Sequence, residues 1–441
     1  MRSRGLTQPL RQPLFRRLSA TYAVNELGDW MGIVSLSVLV FDQTNSALAT
    51  AGLFLGTRFL PALLAPLLVT WAERPPPDLA LPIIYCAEAA AFGGLALLAA
   101  HFSLAAVIAL AAIDGALALS SRALTRTVVA TLLTPSGELR AGNALLNIAF
   151  TGGAAAGPAF AGLVVAGFGV QTALLLDAAS FCVIAAIIAT AGHLPRVEPE
   201  AGRMRDRIRT GIAYIREQAT LKRLLIAQGM AFVFFAAVIP IEVIYAKETL
   251  GAGDTGYGIM LASWGIGMVV GSLIFAAMRR TPLPYLLLFS TLAVGAGYLG
   301  LAAAPTLALA CAASVVGGAG NGVQWVGVIS AVQELTVAGM QARVMSVLES
   351  IGAAMPGIGY VVGGVVTAGG NPRATFFVAG VGVLAIVAIA VPMLGSNWLE
   401  YRAEPEPEED LDAGDETMVE LIPAERRPLA RSNMETGLTR R

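Results

Sequence analysis

Long apolar runs, broken at short intervals by polar or turn-forming residues, dominate this sequence. A bilayer core takes about 20 apolar residues per helix. That ruler predicts twelve helices, near 18–41, 47–70, 80–100, 103–126, 142–166, 171–191, 222–246, 256–278, 284–303, 306–333, 343–367 and 373–395. The breaks carry turn chemistry, as in Asp42-Gln-Thr-Asn, Pro75-Pro-Pro-Asp and Arg279-Arg-Thr-Pro. Barrel strands would be about 10 residues long and alternate polar with apolar, whereas these runs are longer and apolar on both faces. The predicted class is an all-α integral membrane protein.

The longest polar interruption, 192–221, separates six predicted helices from six. It divides the chain into a basic N-terminal arm (1–17), a six-helix half (18–191), a cytoplasmic linker (192–221), a second six-helix half (222–395) and an acidic tail (396–441). The linker stretch beginning at Arg203 reads as a basic amphipathic helix at the membrane interface. The tail, with Glu404-Pro-Glu-Pro-Glu-Glu-Asp, has too little apolar content to fold and is predicted to be disordered. The halves also resemble each other. Residues 133–169 match 335–371 at nine of 37 positions, including Gly157 with Gly359 and Gly162 with Gly364. That offset sets the fifth helix opposite the eleventh, as a six-plus-six pseudo-twofold transporter requires.

Composition narrows the picture. Hydrophobic residues make up 56% of the chain and charged residues 13%, against roughly 25% charged in a soluble domain. Net charge is -1, but it hides a basic linker and an acidic tail. With the N-terminus inside, 26 of the 29 Lys+Arg fall in cytoplasmic segments, only Lys247 and Arg373 fall outside, and Arg58 lies within the second helix. This asymmetry predicts cytoplasmic termini and a multi-pass protein of the inner (plasma) membrane. The first apolar run follows a basic arm and reads as an uncleaved first helix. The three cysteines lie in apolar runs without Cys-x-x-Cys spacing, and there are two histidines, so no metal site is expected. Lys222 and Lys247 are followed by Arg and Glu, which excludes a P-loop. With no catalytic motif either, an enzyme is not expected. The linker's basic face suits anionic lipid, not nucleic acid.

Several stretches resemble a known family: Leu27-Gly-Asp-Trp, Ser46-Ala-Leu-Ala and Arg58-Phe-Leu-Pro near the start, then Arg126, Pro135, Leu139 and Asn143-Ala-Leu, then Gln333 and Ala342-Arg343-Val-Met-Ser. Residues 15–395 resemble the major facilitator superfamily, and within it bacterial exporters such as enterobactin-type siderophore exporters and macrolide-efflux proteins. Gly153-Ala-Ala-Ala-Gly157-Pro158-Ala-Phe-Ala161-Gly162 is similar to the antiporter signature of export members, with Ala161 departing from it. Small residues at this spacing also permit ordinary close helix packing. The cytoplasmic gate loop survives only as Glu73 and Arg74, and Arg126 and Arg343 complete the implied gate residues. The resemblance implies proton-coupled export of a small amphiphilic molecule by alternating access, by a monomer in the lipid bilayer, with no cofactor beyond a proton gradient. A lipid or lysophospholipid translocator, a nutrient importer and a transport-dead scaffold are the alternatives on the same fold.

Ionisable groups at bilayer depth cost about 2.5–3.5 kcal/mol or more on insertion scales and face a partner or water. Asp29, Arg58 and Asp114 lie near the middle of the first, second and fourth helices, which adjoin in the implied fold, and Glu26 precedes Asp29 by one helical turn. Two readings stand: Asp29, with Glu26 or Asp114, carries the coupling proton, or a permanent Asp29–Arg58 ion pair locks two helices. Glu88 and Asp177 fall on helices that are peripheral in that fold, which suggests packing. Glu242, just after Pro240, Asn321, Gln324 and Trp325 are the cavity candidates, although Trp325 could equally face lipid.

Overall fold

The computed structural model describes residues 7–72, 74–195, 204–278, 281–337 and 340–394. Twelve helices are long and apolar enough to cross a membrane. They are α1 (Pro13–Thr44), α2 (47–72), α3 (Pro77–Ala100), α4 (Leu104–Leu133), α5 (Leu139–Phe168), α6 (Val170–Ala189), α7 (Ala219–Thr249), α8 (Gly253–Ala277), α9 (Leu283–Ala303), α10 (Leu307–Glu334), α11 (Gln341–Ala368) and α12 (Pro372–Leu394). Among the described residues every regular element is helical. The acidic tail and Glu73 lie outside the described residues.

Local chemistry sets the ends. Proline opens α1, α3 and α12 at Pro13, Pro77 and Pro372, where its missing N–H costs nothing. Asn45 ends α1 in the left-handed conformation at φ 46°, and the Ser46 hydroxyl then caps α2 by accepting from the Ala49 amide at 3.2 Å. Two spans depart from regular α geometry. In α2 the Leu60 amide reaches back five residues to the Leu55 carbonyl, which makes a π turn around Arg58. In α7, Pro240 sits in a short tight turn and is followed by a second π turn, closed by Leu250 N–H to the Tyr245 carbonyl at 3.0 Å. Such turns reaim the side chains beside them.

Helix pairing repeats. α1 packs on α5 and α6, α3 on α4 and α6, and α2 on α4. Six helices later, α7 packs on α11 and α12, α9 on α10 and α12, and α8 on α10. The two six-helix halves are thus pseudo-symmetric, and they meet through α5 against α8 and α2 against α11. Those two seams are exchanged by the same repeat.

The helices extend past the bilayer-length windows. α1 begins at Pro13 instead of residue 18, so the last five residues of the predicted arm belong to it. Gln12 donates to the Glu138 carboxylate at 2.9 Å, and Arg17 donates to the Thr190 carbonyl at 2.7 Å, which fastens that segment to the first half. α4 continues to Leu133, beyond the predicted end at 126. The linker contains a helix, Met204–Glu217, that docks on the second half. Ile215 packs with Leu221, Val344 and Val347, and a Cβ on Gly211 would meet the Arg343 carbonyl.

Candidate functional site: a cavity between the halves

A cavity of about 480 Å³ lies between the halves, lined from both sides. Its wall is mostly apolar and aromatic, and the polar groups gather at two corners.

The first corner belongs to α1 and α4. Glu26 and Asp29, one turn apart, face Arg122. Arg122 Nη2 donates to Asp29 Oδ2 at 2.6 Å, and Nε stands 3.0 Å from Glu26 Oε1. The second contact is electrostatic only, because Nε–H is not aimed at the oxygen and both Glu26 oxygens lack a hydrogen bond. Asn25 adds a 3.3 Å bond to Asp29. The expected Asp29–Arg58 pair is thereby corrected: the partner is Arg122, which the charge count had assigned to the cytoplasmic end of the fourth helix. Because α4 runs on to Leu133, Arg122 is an interior residue.

Arg58 lines the cavity from the π turn of α2 and has no carboxylate within 4.0 Å among the described residues. It shares a side pocket of about 80 Å³ with Asp29, Asp114 and Thr57. Asp114 Oδ1 is buried there without a hydrogen-bond partner. Glu88 and Asp177, expected to serve packing, are both 0% exposed. Ser121 donates to Glu88 at 3.2 Å and Ser180 to Asp177 at 3.2 Å. Asp177 occupies the space that a Cβ on Gly28 or Gly32 of α1 would need.

The second corner lies in the other half. Pro240 breaks the regular ladder of α7 two residues before Glu242, which lines the cavity with Tyr257, Trp264 and Tyr298. Trp264 stacks on Tyr298 with centroids 5.3 Å apart and an interplanar angle of 13°, and it also meets Phe235 at 6.2 Å. Gly317 of α10 makes room for the indole, since a Cβ there would strike its six-membered ring. The Trp264 Nε1 and Tyr298 hydroxyl are buried without partners.

The remaining candidates separate by location. Asn321, Gln324 and Trp325 line the cavity. Gln324 donates to Thr291 at 3.3 Å, and Trp325 packs against Phe232 at 6.1 Å. In the α5 motif, a Cβ on Gly153 would meet the Glu26 backbone and one on Gly157 would meet Trp30. Pro158 and Gly162 instead lie against Gly258 across the seam to α8. The gate residues do not converge. Arg74 is exposed in the α2–α3 loop. Arg126 donates to the Tyr22 hydroxyl at 3.0 Å inside the first half, and Arg343 contacts Met340 at the start of α11. At the opposite end of the bundle, Lys247 bridges Asp42 of α1 and Asp254 of α8, tying the halves together.

Sequence reasoning missed Arg122 and the aromatic wall. Arg122 had a signal, because Val128-Val-Ala-Thr-Leu-Leu beyond it is still apolar. The aromatic residues had none, since each stands alone in a run that is apolar all round.

The description "transmembrane secretion effector" covers residues 5–410, and the chain belongs to that family of the major facilitator superfamily. No curated protein matches it. Among solved structures it is similar to a bacterial homologue of the human lysosomal transporter Spinster, in an inward-facing, unoccupied conformation. Identity there is 12%, over 90% of this chain and 100% of that one, with a TM-score of 0.72. The nucleoside transporter NupG is 15% identical over 87% and 99%, with a TM-score of 0.70. A bacterial homologue of the iron transporter ferroportin, inward-facing, is 14% identical over 87% and 99%, with a TM-score of 0.68. These likenesses show the fold, and the family match makes the protein a multi-pass membrane transporter of the major facilitator superfamily.

Proposed function

We propose that the protein exports small amphiphilic molecules from the cytoplasm across the inner membrane, driven by the proton gradient, with Asp29 as the coupling carboxylate. The observation that carries this reading is the Asp29–Arg122–Glu26 cluster, which opens on a mostly apolar cavity between two pseudo-symmetric halves. An amphiphile fits such a wall through burial of its apolar body. Asp29 is the group best placed to trade partners. Deprotonated, it holds Arg122; protonated, it weakens that pair and leaves the guanidinium to Glu26. A proton taken up at Asp29 therefore changes the tie between α1 and α4, and helix α1 also packs on the seam helix α5. Alternating access couples such a change to rocking of one half against the other. On the reading with cytoplasmic termini, the Lys247 bridge ties the halves at the outer end of the cavity.

The test is a toxicity panel in bacteria stripped of their own efflux pumps, comparing the chain with Asp29→Asn at matched membrane levels. Protection that the variant loses is the expected result. Protection that the variant keeps removes Asp29 from coupling. An absence of protection by both, together with gradient-independent movement of lipid in proteoliposomes, favours the lipid translocator.

A further inference from the structure

The second corner of the cavity has the chemistry of a receptor for a positively charged group. Glu242 brings a carboxylate into a pocket whose walls are the faces and edges of Tyr257, Trp264 and Tyr298. Among the described residues no lysine, arginine or hydrogen-bond donor is paired with that carboxylate, unlike Asp29 and Glu26, which share Arg122. Glu242 is part-exposed to the cavity, and an unpaired carboxylate set among aromatic side chains gains from an incoming counter-charge. Aromatic faces attract cations electrostatically, and indole does so most strongly. Tyr298 is 1% exposed, and its hydroxyl is unpartnered, as is Trp264 Nε1. What a cation can supply here is the counter-charge that Glu242 lacks; the indole N–H, itself a donor, takes no bond from it. Counting the whole cavity points the same way, with three carboxylates, Glu26, Asp29 and Glu242, against the two guanidinium groups of Arg58 and Arg122.

We infer that this corner binds the cationic end of the substrate: a lipophilic organic cation, such as a protonated amine or a quaternary onium, seated against Trp264 with Glu242 as counter-ion. The apolar body then extends toward Phe232 and Trp325, which pack on each other along the same wall. This rests on the reading of the cavity as the substrate site, and it adds the charge that the substrate carries.

Tetraphenylphosphonium and tetraphenylborate are nearly the same size and shape and opposite in charge, so together they isolate the charge preference. Binding to the full chain in nanodiscs would be measured by calorimetry, without any need for transport. The phosphonium should bind at least about tenfold tighter, a difference of about 1.4 kcal/mol. Glu242→Gln should abolish that preference. Trp264→Leu should weaken the phosphonium about fivefold or more, in line with a desolvated cation–π contact. Thermal melting and size exclusion report whether each variant folds, and the wild-type comparison stands without them. Equal or tighter binding of the borate overturns the inference, as does a phosphonium preference that persists in folded Glu242→Gln. If the phosphonium binds as expected but export assays fail, the transport reading falls while the site stands.

Discussion

Arg122 on α4 and Asp29 on α1 are 2.6 Å apart, and the guanidinium reaches Glu26 from the same position. Two carboxylates one turn apart on a single helix repel each other unless a cation lies between them. The planar guanidinium does this in a site where Glu26 is 1% and Arg122 23% exposed at the side chain. The arrangement accounts for how α1 tolerates two acids on its inward face.

Replacing Arg122 should therefore damage stability and transport together. Arg122→Gln leaves both acids uncompensated, and breaking a buried pair costs roughly 3–5 kcal/mol. Thermal unfolding in detergent should fall accordingly, and transport should reach background. Arg122→Lys supplies charge without the planar fork, so it should restore much of the stability and little of the transport. Full recovery by lysine would mean that the charge alone matters.

Lys247 makes a different kind of contact, since its bond to Asp42 joins the two halves at one end of the bundle while its bond to Asp254 stays within the second half. The Asp254 bond is 2.8 Å, and the Asp42 side chain is 43% exposed. Solvent screening limits the bridge to about 1 kcal/mol, which corresponds to roughly a fivefold shift in population. In a background with Cys86, Cys182 and Cys311 replaced, a cysteine at Leu261 in the cavity should react about fivefold faster with an impermeant maleimide from that end once Lys247→Met is introduced. An unchanged rate would remove the bridge from the conformational equilibrium.

The twelve helices were legible because each run is apolar for the length of a bilayer core. Their ends were less legible, since the ruler measures lipid thickness while helices run on into the interface. Arg122 was lost for that reason: ending the fourth helix at 126 puts it near the helix end, where an interior cation looks like an interfacial one. Glu242, Asn321, Gln324 and Trp325 stood out as polar or amphipathic groups within apolar runs, and all four line the cavity. Tyr257, Trp264 and Tyr298 did not stand out. In a helix that is apolar all round, no periodicity says which face meets a partner, so the aromatic corner emerges only once the helices are packed.

The seam between α5 and α8 provides the last test, and it separates the two readings of the glycine motif. A Cβ on Gly258 would run into the Pro158 carbonyl and the Gly162 backbone, and a Cβ on Gly162 would meet the Asp254 carbonyl. The obstacles are backbone atoms, which cannot rotate away as a side chain does, so Gly258→Ala forces the helices apart. Within α8 alone the change is mildly favourable, by up to about 1 kcal/mol of helix propensity. The variant should therefore assemble normally while disfavouring the form in which these ends touch. Spin labels at Phe168 on α5 and Leu309 on α10 lie on exposed positions near this end of the two halves. Their distance distribution should shift toward longer separations in Gly258→Ala, and transport should slow. An unshifted distribution with normal transport would mean that the glycines serve local packing and that the hinge for alternating access lies elsewhere.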